Sequence, residues 1–132
     1  MTLEDFTKWH EGIEEEMELV GRLLSDPLSD EPMELIQDLE QIEPWYSRLT
    51  LLLAEANSYL DTAKWNLLPP KGDRMEADRK IELDSKVCNI RLVRDTIEGY
   101  LESIKQRIIL GESILRTFTQ FNEPKISSEK VF

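Results

Sequence analysis

The stretch ELDSKVCNIRLVRDTIEGYLESIKQRIILGESILRTF, Glu82 to Phe118, returns an apolar or small residue to one helical face every three or four positions. The series is Leu83, Val87, Ile90, Val93, Ile97, Leu101, Ile104, Ile108, Gly111, Leu115 and Phe118. Its ten steps cover 35 residues, a mean of 3.5, which is the coiled-coil repeat rather than the 3.6 of a free helix. No proline interrupts the chain from Asp73 to Asn122. The spacing therefore predicts one long helix from about Arg74 to Phe121, roughly 70 Å at 1.5 Å per residue. Cys88 is expected to be a buried thiol within that pattern. Gly99 and Gly111 each cost about 1 kcal/mol in a helix interior, so each is expected to mark a close helix contact or a bend.

Upstream lies Leu67-Leu68-Pro69-Pro70-Lys71-Gly72-Asp73, the clearest loop in the chain. Before it, Trp45, Leu49, Leu52, Ala56, Tyr59 and Ala63 alternate steps of three and four, predicting a helix from Pro44 to about Trp65. Two such stripes joined by a short loop make an antiparallel helical hairpin. A shorter helix is expected from Glu31 to Ile42, capped by Ser29 or Asp30 and broken or kinked at Glu43-Pro44. The first helix runs from Leu3 to about Leu24, with Thr2 and Asp5 at capping-box spacing and Phe6, Trp9, Ile13, Met17, Val20 and Leu24 as its stripe. Ser25-Asp26-Pro27 ends it.

The expected fold is all-α: an elongated antiparallel helical hairpin or bundle with one long C-terminal helix and coiled-coil-like packing. Residues 1–122 form a single domain, with acidic helices in 1–44, the hairpin in 45–122 and a flexible tail at 123–132. An arm ending at Trp65 is too short to cover the long helix. The surplus seam at Ile104, Ile108, Leu115 and Phe118 is therefore expected to meet the first helix or a second copy, making a homo-oligomer.

With 132 residues, 40% apolar and 33% charged, the chain suits one helical domain better than a sheet. Its longest run without a polar residue, Leu51 to Ala54, is far below the roughly 20 residues that span a bilayer. Met1 to Asp5 carries no basic-then-apolar secretory pattern, and the lone Cys88 cannot form an internal disulfide. A cytoplasmic setting away from membranes is expected.

Charge is uneven. Residues 1–44 hold 14 acids and two bases, a net of −12, whereas residues 45–132 hold 13 acids and 14 bases, a net of +1; together they give the overall −11. An acidic third repels nucleic acid and anionic membranes. Glu11, Glu14, Glu15 and Glu18 lie within two turns of the first helix, forming either a solvated face or a docking face for a basic partner. The same residues make two ExxE spacings, the geometry of a Mg²⁺ site on a helix. All-α nucleotide pyrophosphohydrolases of the MazG type pair such an ExxE with a downstream ExxD, which this chain lacks. His10 is the one histidine, too few for an ordinary di-iron bundle, and sits beside Trp9 as a boundary residue. No Gly-rich phosphate loop or nucleophile–base pattern occurs, so no enzymatic activity and no cofactor is expected.

Basic residues gather at the loop and beyond: Lys64, Lys71, Arg74, Arg79, Lys80, Lys86, Arg91 and Arg94. Trp45, Tyr46, Tyr59 and Trp65 lie on the preceding arm. Cations interleaved with aromatics can hold a single strand by phosphate contact and base stacking. Neutralising ~4 phosphates would give a slope near −3 in log K against log salt. Intervening acids allow a second arrangement, in which Arg91/Asp95 and Arg94/Glu98 pair at i,i+4 along the helix.

Taken together, YSRLTLLLAEANSYL (Tyr46 to Leu60), the long stretch Glu82 to Phe118 and the opening LEDFTKWHEGIE (Leu3 to Glu14) resemble, in helix order and apolar spacing, the phage recombination mediators of the UvsY type. That resemblance implies a small all-helical protein that assembles into rings, binds single-stranded DNA and helps load a RecA-like recombinase onto strands coated by single-strand-binding protein. It would give the DNA contacts to Lys64, Lys71, Arg74, Arg79, Lys80, Lys86 and Arg91. This chain departs from the family on the arm before the loop, which carries only Arg48 and Lys64 with Glu55 and Asp61 between them. Two other readings stand beside it: an acidic helical regulator that binds protein or mimics nucleic acid, and a coiled-coil assembly factor.

Overall fold

The computed structural model describes residues 2–70, 72 and 75–122, with side chains to residue 119. It consists of three helices: α1 (Leu3–Ser25), α2 (Pro32–Leu67) and α3 (Glu76–Asn122). No helix among the described residues is long and apolar enough to cross a membrane.

Local chemistry sets the starts and stops. The Thr2 hydroxyl accepts the Asp5 N–H at 3.1 Å, and the Asp5 carboxylate accepts the Thr2 N–H at 2.8 Å, closing the expected capping box. At α2 the cap is neither Ser29 nor Asp30. Glu31 caps instead, its carboxylate accepting the N–H groups of Met33 and Glu34, with Pro32 following. A longer side chain reaches the same orphan donors that Ser or Asp would satisfy.

The main departure from the sequence reading is at Pro44. Two helices are expected there, but α2 runs through the proline as one 36-residue element. The ring lies on the exposed side of the helix, and Leu35, Leu39 and Ile42 before it and Leu49 and Leu52 after it are all buried. Burying a large aliphatic side chain gains about 1.5–3 kcal/mol. Five such buried residues outweigh the ~3 kcal/mol that an interior proline costs.

Continuity of α2 changes what α3 needs. At 1.5 Å per residue, α2 is about 54 Å long and α3 about 70 Å. They pack antiparallel as the principal contact of the fold. Leu39 sits on Gly111, and Leu60 shares a cluster with Val87 and Ile90. The seam is therefore shielded within one chain. Ile104 is fully buried, Ile108 and Leu115 are half-buried, and Phe118 alone of the four expected interface residues keeps substantial exposure, 45%. Ile104 has no surface to offer a second copy; it lies in the cluster that includes Ile13 and Val20 of α1, the first of the two expected partners of the seam.

α1 lies in the groove of this hairpin, parallel to α3. Phe6 meets Tyr59 near the hairpin tip, while Arg107 reaches the end of α1. Phe6, Ile13 and Val20 are buried. Ile13 and Val20 join Ile42, Leu49, Leu52, Ala56, Ile97 and Ile104 in the larger core cluster, whereas Phe6 joins Leu60, Val87 and Ile90 in a smaller one nearer the tip. The two glycines of the long helix differ. A Cβ on Gly111 would stand 2.6 Å from Leu39, so that position is a close approach, but around Gly99 there is open space. Cys88 is exposed, not buried. It follows the seam residue Val87 by one position, which is 100° round the helix.

Candidate functional site

The hairpin tip is where the sequence places its cations, and the fold spends four of the six described ones on carboxylates or backbone. The Arg79 guanidinium donates to the Pro69 carbonyl at 3.1 Å and to Glu76 at 2.6 Å, and its side chain is only 14% exposed. It closes the tip rather than facing a ligand. Lys86 pairs with Glu82 at 3.4 Å and Arg91 with Asp84 at 3.2 Å. Arg94 takes Asp95 at 2.7 Å, so neither of the expected i,i+4 pairs, Arg91/Asp95 and Arg94/Glu98, is the one formed. Lys64 and Lys80 have no carboxylate partner among the described residues. Lys71 and Arg74 lie outside the described residues.

The aromatics divide similarly. Trp45 packs against the larger core, and Tyr59 packs on Phe6 and Trp9 with ring centroids 5.8 and 5.3 Å away. Tyr46 is 41% exposed, whereas Trp65, in the last turn of α2, is 84% exposed, more than any other large apolar side chain described. Leu68, Met75 and Ile81 are exposed near the same end. The tip thus offers a bare indole, two free lysines and an apolar apron.

Beside it is a groove of about 380 Å³ where the start of α1 meets the hairpin. Leu3, Phe6, Tyr59, Ala63, Leu67 and Ile90 form its walls, with Thr2, Glu4 and Asn66 at the rim.

On α1 the acids split. Glu11, Glu14 and Glu15 are exposed and carry no ion pair among the described residues, while Glu18 binds Arg22 at 2.6 Å. No group of three or more His, Cys, Asp or Glu among the described residues is placed to hold a metal ion. The His10 ring stacks on Phe6, centroids 5.9 Å apart, which is a packing role.

Three polar clasps fix α1 on the hairpin, and no local pattern of residues signals them. Trp9 donates its indole N–H to Glu55 at 2.5 Å. Arg48 binds Glu16 through two parallel bonds of 2.6 and 2.7 Å. Arg107 donates to the carbonyls of Leu24 and Asp26, satisfying acceptors left open where α1 ends. Each joins residues 32 to 83 positions apart, so only the helix register could have revealed it.

The Arg48 hydrogen bonds hold the Glu16 carboxyl below its ordinary 4.5, against a smaller upward push from burial. A lowered folded-state value means the pair contributes fully above about pH 4.5, and the contribution is lost as pH falls through the folded value. The pair is partly exposed, so it is worth about 1 kcal/mol at most. Glu16→Gln is expected to lower stability by that amount at pH 7 and by less near pH 3. Urea unfolding at the two pH values measures the difference.

No protein-family model, curated protein or solved structure matches this chain.

Proposed function

We propose that the protein is a non-enzymatic accessory factor of DNA recombination, touching single strands with its hairpin tip. The observation that carries this reading is the 84% exposed Trp65 at the same hairpin end as Lys64 and Lys80, neither of which has a carboxylate partner among the described residues. A bare indole next to free ammonium groups supplies a stacking platform and phosphate contacts, the two components of sequence-tolerant strand binding. Support also comes from the helix order and apolar spacing that resemble the UvsY-type mediators.

Among the described residues the tip offers two cations without a carboxylate partner, Lys64 and Lys80. These two lysines by themselves contribute a slope near −1.4 in log K against log salt, half the value for four phosphates. Fluorescence anisotropy with a labelled oligonucleotide at low salt tests this directly. Charge reversal of Lys80 is expected to weaken binding more than reversal of Lys8, and Trp65→Ala is expected to weaken it by about 1–3 kcal/mol. Absence of binding at 20 mM salt would remove the proposal.

A second reading is favoured by the three unpaired carboxylates Glu11, Glu14 and Glu15. In that reading α1 docks a basic, nucleic-acid-handling protein. Such a partner should be lost on joint replacement of the three by glutamine, a change that leaves strand binding at the tip intact.

A further inference from the structure

We propose that the first section of α1, Leu3 to Glu11, is a strap that swings off the hairpin at Gly12 while Ile13 to Ser25 stay clasped. The helix is held unevenly along its length. From Ile13 onward, Ile13 and Val20 are buried in the larger core cluster, and Met17, Leu23 and Leu24 pack against it. Arg48 binds Glu16 through two hydrogen bonds, and Arg107 takes the carbonyls of Leu24 and Asp26. Gly21 is approached so closely that a Cβ there would stand 3.0 Å from the Tyr100 hydroxyl oxygen. Before Gly12, Phe6 alone is buried, Trp9 and His10 are half-buried, and the clasp to the hairpin is Trp9 to Glu55. The groove of about 380 Å³ lies against Leu3 and Phe6 of this same section, so its packing on the hairpin is incomplete. Space left beside a helix forfeits the contacts that would hold it.

Gly12 divides the two sections. A glycine weakens a helix interior, and packing does not require this one: nothing lies within 4 Å of where its Cβ would stand. Sections with few buried apolar contacts are the ones that open below the global unfolding free energy. Once off the hairpin, the nine residues from Leu3 to Glu11 are too short to stay helical in water. Their departure takes Phe6 and Trp9 off the Tyr59 ring and uncovers Leu60, Val87 and Ile90 behind it. The consequence for strand binding rests on the function proposed above. Opening adds Tyr59 to the hairpin end that carries Trp65. It also withdraws a segment in which Glu4, Asp5 and Glu11 outnumber Lys8, so the closed strap restrains the strand site.

Amide hydrogen exchange of the full chain, read residue by residue by NMR at neutral pH without nucleic acid, tests the strap. Amides from Phe6 to Glu11 should share one protection factor, roughly tenfold or more below those of Met17 to Leu24. Gly12→Ala adds a methyl group where there is open space, and should raise the shared value about fivefold. Trp9→Phe keeps a ring but loses the N–H, and should lower the shared value about tenfold while leaving Met17 to Leu24 unchanged. A steady rise in protection from Phe6 to Glu11 is simple fraying of a helix end and overturns the proposal. Equal protection in the two sections overturns it as well, as does a Gly12→Ala protein that exchanges like the parent. With a labelled oligonucleotide, Gly12→Ala should bind about fivefold more weakly, because the open form becomes rarer by that factor. A strap that opens as described, with strand affinity unmoved by Gly12→Ala, supports the opening and removes Tyr59 from the strand site.

Discussion

Ile97→Ala is expected to lower the unfolding free energy by about 3–4 kcal/mol. Ile97 is fully buried, in the cluster where α1, α2 and α3 all contribute side chains. The truncation loses the transfer free energy of the removed carbons and leaves a void. Three rigid helices held by close packing collapse into it only in part. Against a usual total of about 5–15 kcal/mol, that is a large share. Urea unfolding followed by circular dichroism measures it through the midpoint. Leu92→Ala is the control: at 66% exposure it should cost less than about 0.5 kcal/mol. Equal costs at the two sites would contradict the helix register described above.

Pro44→Ala is expected to raise stability by about 1–2 kcal/mol. An interior proline removes one helical hydrogen bond and crowds the carbonyl four residues before it, a cost of ~3 kcal/mol. Two effects reduce the gain. Glu40, whose carbonyl is left open, is exposed, so water replaces part of the missing bond. Alanine also frees the unfolded chain by about 0.4–1 kcal/mol. Because α2 is already one helix, ellipticity should change little while the urea midpoint rises. A large gain of helical signal would mean that the chain breaks at Pro44, and a fall in stability would mean that the ring is needed for packing.

These two experiments probe the places where sequence reading succeeded and where it stopped. Ile97 was legible: its place in a 3.5-residue series running from Leu83 to Phe118 predicts burial, and Val87, Ile90 and Ile104 from the same series are buried with it. Pro44 was not. A local rule says that proline ends a helix, and the gain that overrides it comes from α3, some fifty residues onward. A shorter arm left the seam at Ile104, Ile108, Leu115 and Phe118 to the first helix or a second copy; Ile104 and Ile108 in fact join a cluster to which both α1 and the longer α2 contribute.

The candidate site shows the same division. Composition located the cations at the tip, and Lys64 and Lys80 are free there. It could not say that Arg79 would turn back onto Pro69, or that Arg91 would reach Asp84. The α1 acids were legible as an exposed face, yet Glu16, outside the chosen four, is the one that grips Arg48. Cys88 illustrates the smallest such step: one residue past Val87 is 100° of rotation, enough to carry a thiol from seam to surface.

By itself, then, the order of residues determined that the chain is helical, where its caps and its main turn fall, and which stripe of each helix turns inward. Those are properties of neighbours within a few positions, where periodicity and capping act. Only the tertiary structure decided that α2 passes through a proline, that α1 lies clasped in the hairpin groove, and which charges stay free at the tip. Each of these depends on energies between residues far apart in the chain, and they come into being only once the helices have found their register.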